Sequence, residues 1–112
     1  MAQFVFKYMV EERGLADKFE IESAATESYN EICHAGMHHG TREMLKAMHV
    51  PFEEHYSRRI RPVDYAYYDY ILAMDEHNIE DIQSIVGIDV DNKIHRLLDF
   101  TGQPRNIKDP WY

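Results

Sequence analysis

The protein is a chain of 112 residues with 20 acidic and 12 basic side chains, a formal net charge of −8 and 45% hydrophobic residues. A chain of this length forms one domain at most, and its acidic balance argues against general nucleic-acid binding, which needs a basic surface. It shows no apolar run suited to a membrane span and nothing that resembles a signal peptide. The single cysteine, Cys33, excludes an internal disulfide and suits a reducing cytoplasm, where we expect the protein to reside.

The first half of the chain predicts a helix, a strand and a second helix. Residues 2–12 carry apolar side chains on one broad face, and Gly14 is a plausible stop for that helix. Residues 19–24 alternate apolar and polar side chains, which predicts a strand. Residues 37–48 place methionine and leucine at helical spacing, so we expect a second amphipathic helix that Pro51 ends.

The second half continues the alternation. Pro62 suits the first turn of a short helix. Residues 70–74 form a continuous apolar run, as expected for a strand buried on both faces of a parallel sheet. Asp75 can cap the next helix, Gly87 closes it, and residues 93–98 predict a short last strand. Strands that alternate with helices indicate an α/β domain with a parallel sheet.

Four stretches, spread over nearly the whole chain, carry a family resemblance. They are Met1-Ala2-Gln3-Phe4-Val5-Phe6, Phe19-Glu20-Ile21-Glu22-Ser23-Ala24-Ala25-Thr26, Tyr68-Asp69-Tyr70-Ile71-Leu72-Ala73-Met74-Asp75-Glu76-His77-Asn78 and Asp109-Pro110-Trp111-Tyr112. In order and spacing they resemble the helix start M-A-E-x-V-F, the strand F-x-I-x-S-A-G-T, the segment F-D-Y-I-L-A-M-D-x-x-N and the acid loop D-P-Y-Y or D-P-W-Y of the low-molecular-weight protein tyrosine phosphatases.

The resemblance implies an α/β fold with a three-layer, four-stranded parallel sheet. Residues 1–112 would form a single, incomplete phosphatase-type domain, because the family's central first strand, its C-x5-R-S phosphate loop and its final helix find no match in the sequence. Besides Tyr68, which replaces the usual phenylalanine but keeps the ring, two positions depart more clearly from the family pattern. Ala25 stands where the family usually has glycine. His49 stands where glycine commonly ends the helix, so we expect a non-glycine residue to adopt the C-cap conformation there.

The resemblance also implies a reaction. In the family a cysteine thiolate attacks phosphorus, an arginine and loop amides hold the phosphoryl oxygens, and an aspartic acid protonates the departing phenolate. Asp109 matches that general acid. The reaction needs no cofactor, and its substrate would be a phosphotyrosine protein or a small aryl phosphate, provided that the phosphate loop is restored.

Further positions match residues that surround the family's site. By resemblance, Trp111 and Tyr112 wall the substrate cleft, and Tyr29 and Asn30 lie on its opposite rim. Ser23 and His55 match positions that brace the phosphate loop by hydrogen bonds.

The only cysteine does not replace the missing nucleophile. A C-x5-R motif that began at Cys33 would need arginine at the position of His39. The segment does place four potential metal ligands within seven residues, namely Cys33, His34, His38 and His39. A helical His34/His38 pair would project both rings to one side, but adventitious zinc or nickel binding is the better interpretation than a physiological metal site.

Two functions of different classes follow. In the first, the chain is the body of a phosphotyrosine phosphatase. The 112 residues alone would be inactive, because the nucleophile and the arginine clamp are absent from them. The alternative is a catalytically dead phosphatase-like module for binding or dimerisation. Loss of a central strand would leave unpaired backbone edges, so we expect self-association through exposed strand edges, and no membrane or nucleic-acid partner.

Overall fold

The computed structural model describes residues 1–26, 39–53, 56 and 58–108. The chain divides into two compact units, Met1–Arg59 and Ile60–Tyr112. Helices α1 (Ala2–Glu12) and α2 (His39–Ala47) belong to the first unit. The second unit holds helix α3 (Pro62–Tyr67), strand β1 (Ile71–Ala73), helix α4 (Glu76–Val86) and strand β2 (Ile94–Arg96). Two short 3₁₀ turns, Ala16–Lys18 and Leu97–Phe100, complete the described elements.

Helix α1 ends as its sequence predicts. Gly14 adopts a positive φ of 68°, a conformation that glycine reaches without steric cost. The backbone N–H of Leu15 then donates to the carbonyl of Val10 at 2.8 Å. This is the hydrogen bond of a Schellman motif, which satisfies a carbonyl of the last helical turn.

Helix α2 ends with the same motif, but around histidine. His49 has a φ of +57°, and the N–H of Val50 donates to the carbonyl of Leu45 at 2.9 Å. The prediction that His49 adopts a C-cap conformation is therefore confirmed. Leu45 and Val50 are buried together with Phe4 in the apolar core of this unit, and Phe52 packs edge-on against Phe4 with ring centroids 6.4 Å apart.

The prediction of a strand at residues 19–24 is wrong. Among the described residues this segment pairs with no other strand, and the residue that follows it, Ala25, forms an isolated parallel bridge with Arg59. The N–H of Ala25 donates to the carbonyl of Arg58 at 2.7 Å. Alternating side chains show that a segment suits a sheet, but a strand also needs a neighbour with free hydrogen-bonding groups along its length.

The second unit is built on a β-α-β arrangement. Strands β1 and β2 pair in parallel, with Ile71 opposite Ile94 and Ala73 opposite Arg96, and α4 connects them. The predicted capping of α4 is confirmed: the Asp75 carboxylate accepts the N–H of Asn78 at 2.8 Å. The buried residues of this core are Ile60, Ile71, Ala73, Ile82 and Ile94.

Strand β1 is not buried on both faces, which corrects the prediction for residues 70–74. Ile71 and Ala73 are buried, whereas Leu72 between them is 40% exposed. Successive side chains of a strand point to opposite faces, and the face of Ile71 and Ala73 is the one that packs with Ile82 of α4. Among the described residues the sheet has two strands, where the resemblance implied four.

None of the helices in the described ranges is long and apolar enough to cross a bilayer.

Candidate active site

Ser23 lies beside the first turn of α1. Its hydroxyl donates a 2.7 Å hydrogen bond to Oε1 of Gln3, and Nε2 of Gln3 donates to the carbonyl of Ile21 at 3.5 Å. The Gln3 side chain thus ties the segment of Ser23 to the N-terminal end of the helix. Backbone N–H groups and the positive end of the helix dipole make such an end favourable for an anion.

Two arginines hold the segment that follows Ser23. Nη2 of Arg58 lies 3.6 Å from Oε2 of Glu22, and Nε of Arg59 donates to the carbonyl of Thr26 at 3.2 Å. Together with the Ala25–Arg59 bridge, these contacts restrain residues 22–26. Arg58 therefore helps to hold this segment, through Glu22 and through its own carbonyl, which accepts the N–H of Ala25.

In the second unit, the chain that leads to Asp109 is anchored at the carboxyl end of β1. The N–H of Ile107 donates to the carbonyl of Met74 at 2.8 Å. Oδ1 of the preceding Asn106 accepts the backbone N–H of Glu76 at 3.1 Å and Nη1 of Arg96 at 3.1 Å. Ligand sites of parallel α/β sheets form at this edge, outside the carboxyl ends of the strands.

Arg96, the last residue of β2, is the centre of the charged groups at this edge. Its Nε and Nη2 lie 3.0 and 2.9 Å from Oδ1 of Asp99, and its Nη1 lies 3.4 Å from Oε1 of Glu76. The hydrogen bonds from the Arg96 side chain, followed by that from its backbone N–H, hold the pKa of Asp99 below its ordinary value. Asp99 is therefore ionised at neutral pH and keeps the guanidinium in place.

Sequence reasoning missed Asn106 and Arg96. A signal was present, since Arg96 lies within the strand predicted at residues 93–98 and Asn106 precedes Asp109 by three residues. Side chains near the carboxyl ends of parallel strands meet at one edge of the sheet, which made Arg96 a candidate neighbour of the segment that leads to Asp109.

The other site residues inferred from the resemblance lie outside the described residues; they are Tyr29, Asn30, His55, Asp109, Trp111 and Tyr112. The same holds for Cys33, His34 and His38 of the potential metal cluster. His39 begins α2, and its Nε2 lies 4.0 Å from Oε1 of Glu43. In the described ranges, no three His, Cys, Asp or Glu side chains are grouped to hold a metal ion.

Comparison with known proteins identifies the family. The model of the low molecular weight phosphotyrosine protein phosphatase family matches residues 1–112. The chain is 31% identical over 116 residues to the low molecular weight protein-tyrosine-phosphatase YfkJ of Bacillus subtilis, with 100% of this chain and 72% of the relative covered. It is 34% identical over 115 residues to the low molecular weight phosphotyrosine protein phosphatase of Rattus norvegicus, with 100% and 71% covered.

Solved structures agree with this result. The crystal structure of YfkJ from Bacillus subtilis matches with a TM-score of 0.89 at 30% identity, over 99% of this chain and 70% of that one. A protein tyrosine phosphatase from Entamoeba histolytica, crystallised with Hepes in the active site, matches with a TM-score of 0.87 at 27% identity, over the same shares of the two chains. The chain belongs to the low-molecular-weight protein tyrosine phosphatase family and has its α/β fold.

Proposed function

We propose that the chain is the body of a protein tyrosine phosphatase, which hydrolyses phosphomonoesters through a cysteinyl-phosphate intermediate, with Asp109 as the general acid. The observation that carries the proposal is the anchoring of Asn106 and Ile107 at the carboxyl end of β1. This contact lies at the edge where parallel α/β sheets bind ligands, and Ile107 precedes Asp109 by two residues. Family membership supplies the class of reaction.

The remaining residues inferred from the family would take the roles that the resemblance gives them. Trp111 and Tyr112 would wall the cleft and stack on an aromatic phosphate ester. Tyr29 and Asn30 would form the opposite rim. Ser23, next to the first turn of α1, would brace the phosphate loop together with His55, because an anion bound at that helix end needs its loop held in one geometry. No cofactor is required.

The nucleophile and the arginine clamp are not among the 112 residues. Cys33 is the one cysteine, and His39 occupies the place that a C-x5-R motif would give to arginine. Without a nucleophile that attacks phosphorus, no phenolate departs, and Asp109 has no leaving group to protonate. These residues alone are therefore expected to be inactive, and turnover is expected when the family's first strand and phosphate loop are joined to them.

A catalytically dead phosphatase-like module for binding or dimerisation is the second candidate. Within the 112 residues, the one cysteine is not followed by arginine at the C-x5-R spacing, although the other family stretches are present. Its partner would be a second copy, joined through strand edges, or a phosphotyrosine-bearing protein.

An aryl phosphate assay separates the two candidates. The 112-residue chain should not hydrolyse p-nitrophenyl phosphate, whereas the same chain joined to the family's first strand and C-x5-R-S loop should do so. In the joined protein, Asp109→Asn should lower kcat by roughly 10²–10⁴-fold on a poor leaving group. Asp91→Asn, which removes an exposed carboxylate of the second unit, is the matched control. An inactive joined protein that is folded would favour the dead module.

A further inference from the structure

The side chain of Asn106 is held by two donors from different elements. Both the backbone N–H of Glu76 and Nη1 of Arg96 reach the same atom of Asn106 at 3.1 Å. Because both partners are N–H donors, that atom must be the amide oxygen, and the orientation of the amide is determined. The Glu76 N–H is the first of α4, one of the groups that no carbonyl within the helix can reach.

The Arg96 partner is itself held. Its side chain is 20% exposed, and Nε and Nη2 of the guanidinium both contact one oxygen of Asp99, Oδ1, while Oδ2 accepts the backbone N–H of Arg96. Glu76 lies 3.4 Å from the third nitrogen, Nη1, which also contacts Asn106. A planar guanidinium that is held at both edges loses little further freedom when it binds another acceptor. Asn106 is thus attached to a rigid point at the carboxyl edge of the sheet.

We propose that Arg96 and Asn106 are positioning residues for Asp109: they determine where the chain that carries the general acid leaves the sheet. The inference rests on the proposed function of Asp109. The hydrogen bond from Ile107 to Met74 fixes the next residue, and two residues of extended chain span at most about 7 Å. Fixing Asn106 and Ile107 therefore restricts the volume that the Asp109 carboxyl can reach.

The consequence is chemical as well as structural. Proton transfer to a leaving oxygen needs the acid within hydrogen-bonding distance, and a displacement of about 1 Å can cost roughly 10²-fold in rate. If Asn106 merely capped α4, its loss would lower stability but would affect good and poor leaving groups equally. A positioning role predicts a loss that grows as the leaving group becomes more basic.

The first test uses the 112-residue chain and needs no activity. Trp111 is its one tryptophan and lies two residues after Asp109, so its fluorescence reports on this segment. Arg96→Gln and Asn106→Leu should increase acrylamide quenching and lower the anisotropy of Trp111. Arg105→Gln, the same chemical change at an exposed arginine next to Asn106, should change neither. Asn106→Asp keeps an acceptor oxygen and should behave like the parent chain.

The second test uses the protein joined to the family's first strand and phosphate loop. Arg96→Gln should lower kcat for phenyl phosphate by roughly 10–10²-fold, with a much smaller loss for 2,4-dinitrophenyl phosphate and little change in KM. Arg96→Lys keeps the positive charge but not the planar guanidinium. Its kcat for phenyl phosphate should therefore fall between the values of the parent and of Arg96→Gln. Equal losses on both substrates would overturn the proposal.

The two tests distinguish a failure of the proposed function from a failure of this inference. An inactive joined protein would contradict the proposed function, while the fluorescence of Trp111 would still decide whether Arg96 and Asn106 hold the segment. Quenching that is the same in Asn106→Leu and Arg105→Gln would overturn the inference even if the joined protein is active. Should Arg96→Gln fail to fold, as judged by circular dichroism, Arg96→Lys and Asn106→Leu carry both measurements.

Discussion

The hydroxyl of Tyr65 donates a 2.7 Å hydrogen bond to the carboxylate of Asp89, 24 residues further along the chain. The same carboxylate accepts the backbone N–H groups of Lys93 at 2.7 Å and Ile94 at 3.0 Å. The Tyr65 oxygen in turn accepts the N–H of Asp91 at 2.9 Å. This network joins α3 to the loop that leads into β2, and one carboxylate holds it together.

The network gives stability a pH dependence. Burial by itself would raise the pKa of Asp89, but the hydrogen bonds from Tyr65, Lys93 and Ile94 outweigh it and hold that pKa below its ordinary value of 3.8. A carboxyl whose folded-state pKa is lowered contributes stability that is fully present above its unfolded pKa. That stability is lost as the pH falls through the folded-state value. The expected window for the loss therefore lies below pH 3.8.

Asp89→Asn should lower the free energy of unfolding at pH 7 by about 1–2 kcal/mol, because the charged acceptor of three hydrogen bonds is replaced by a neutral one. Urea denaturation followed by circular dichroism between pH 7 and pH 3 measures the effect. The difference between parent and variant should shrink below pH 3.8 as Asp89 of the parent is protonated. Asp91→Asn is the control, and a difference that is constant over the whole pH range would contradict the assignment.

His49→Gly should stabilise the chain. The left-handed conformation of His49, with a φ of +57°, costs a non-glycine residue about 1–2 kcal/mol, and the greater flexibility of unfolded glycine offsets roughly 0.5–1 kcal/mol of the gain. A net increase of about 0.5–1 kcal/mol in unfolding free energy follows. Asn92→Gly is the matched control, since Asn92 has a φ of +55° but asparagine tolerates this region better. A His49→Gly variant that is less stable than the parent would show that the histidine ring contributes more than the backbone costs.

The 112-residue chain should self-associate through the sheet. Leu72 is 40% exposed on β1, and among the described residues each strand has a ladder neighbour on one side alone. Exposed edges of this kind pair with other chains. Size-exclusion chromatography with light scattering should show a mass that rises with concentration, and Leu72→Lys should reduce this rise. Ile88→Lys, at a loop residue that is 85% exposed, should leave the rise unchanged. A parent chain that is monomeric at all concentrations would contradict the prediction.

Local patterns were sufficient to predict the helices. The ends of α1 and α4 depend on Gly14, Asp75 and Gly87, whose effects act within one helical turn and are therefore visible in the sequence. The family motifs were sufficient to predict the class of protein, and they name Asp109 as its acid. That role stays a prediction, because Asp109 lies outside the described residues.

Only the tertiary structure decided the contacts between distant residues. Asn106 meets Arg96 across 10 residues and Glu76 across 30, and no local pattern records such a separation. The exposure of Leu72 and the absence of a ladder at residues 19–24 in the described structure have the same origin. Side-chain alternation and apolar runs are properties of one segment, whereas burial and strand pairing depend on which other segments the folded chain brings alongside it.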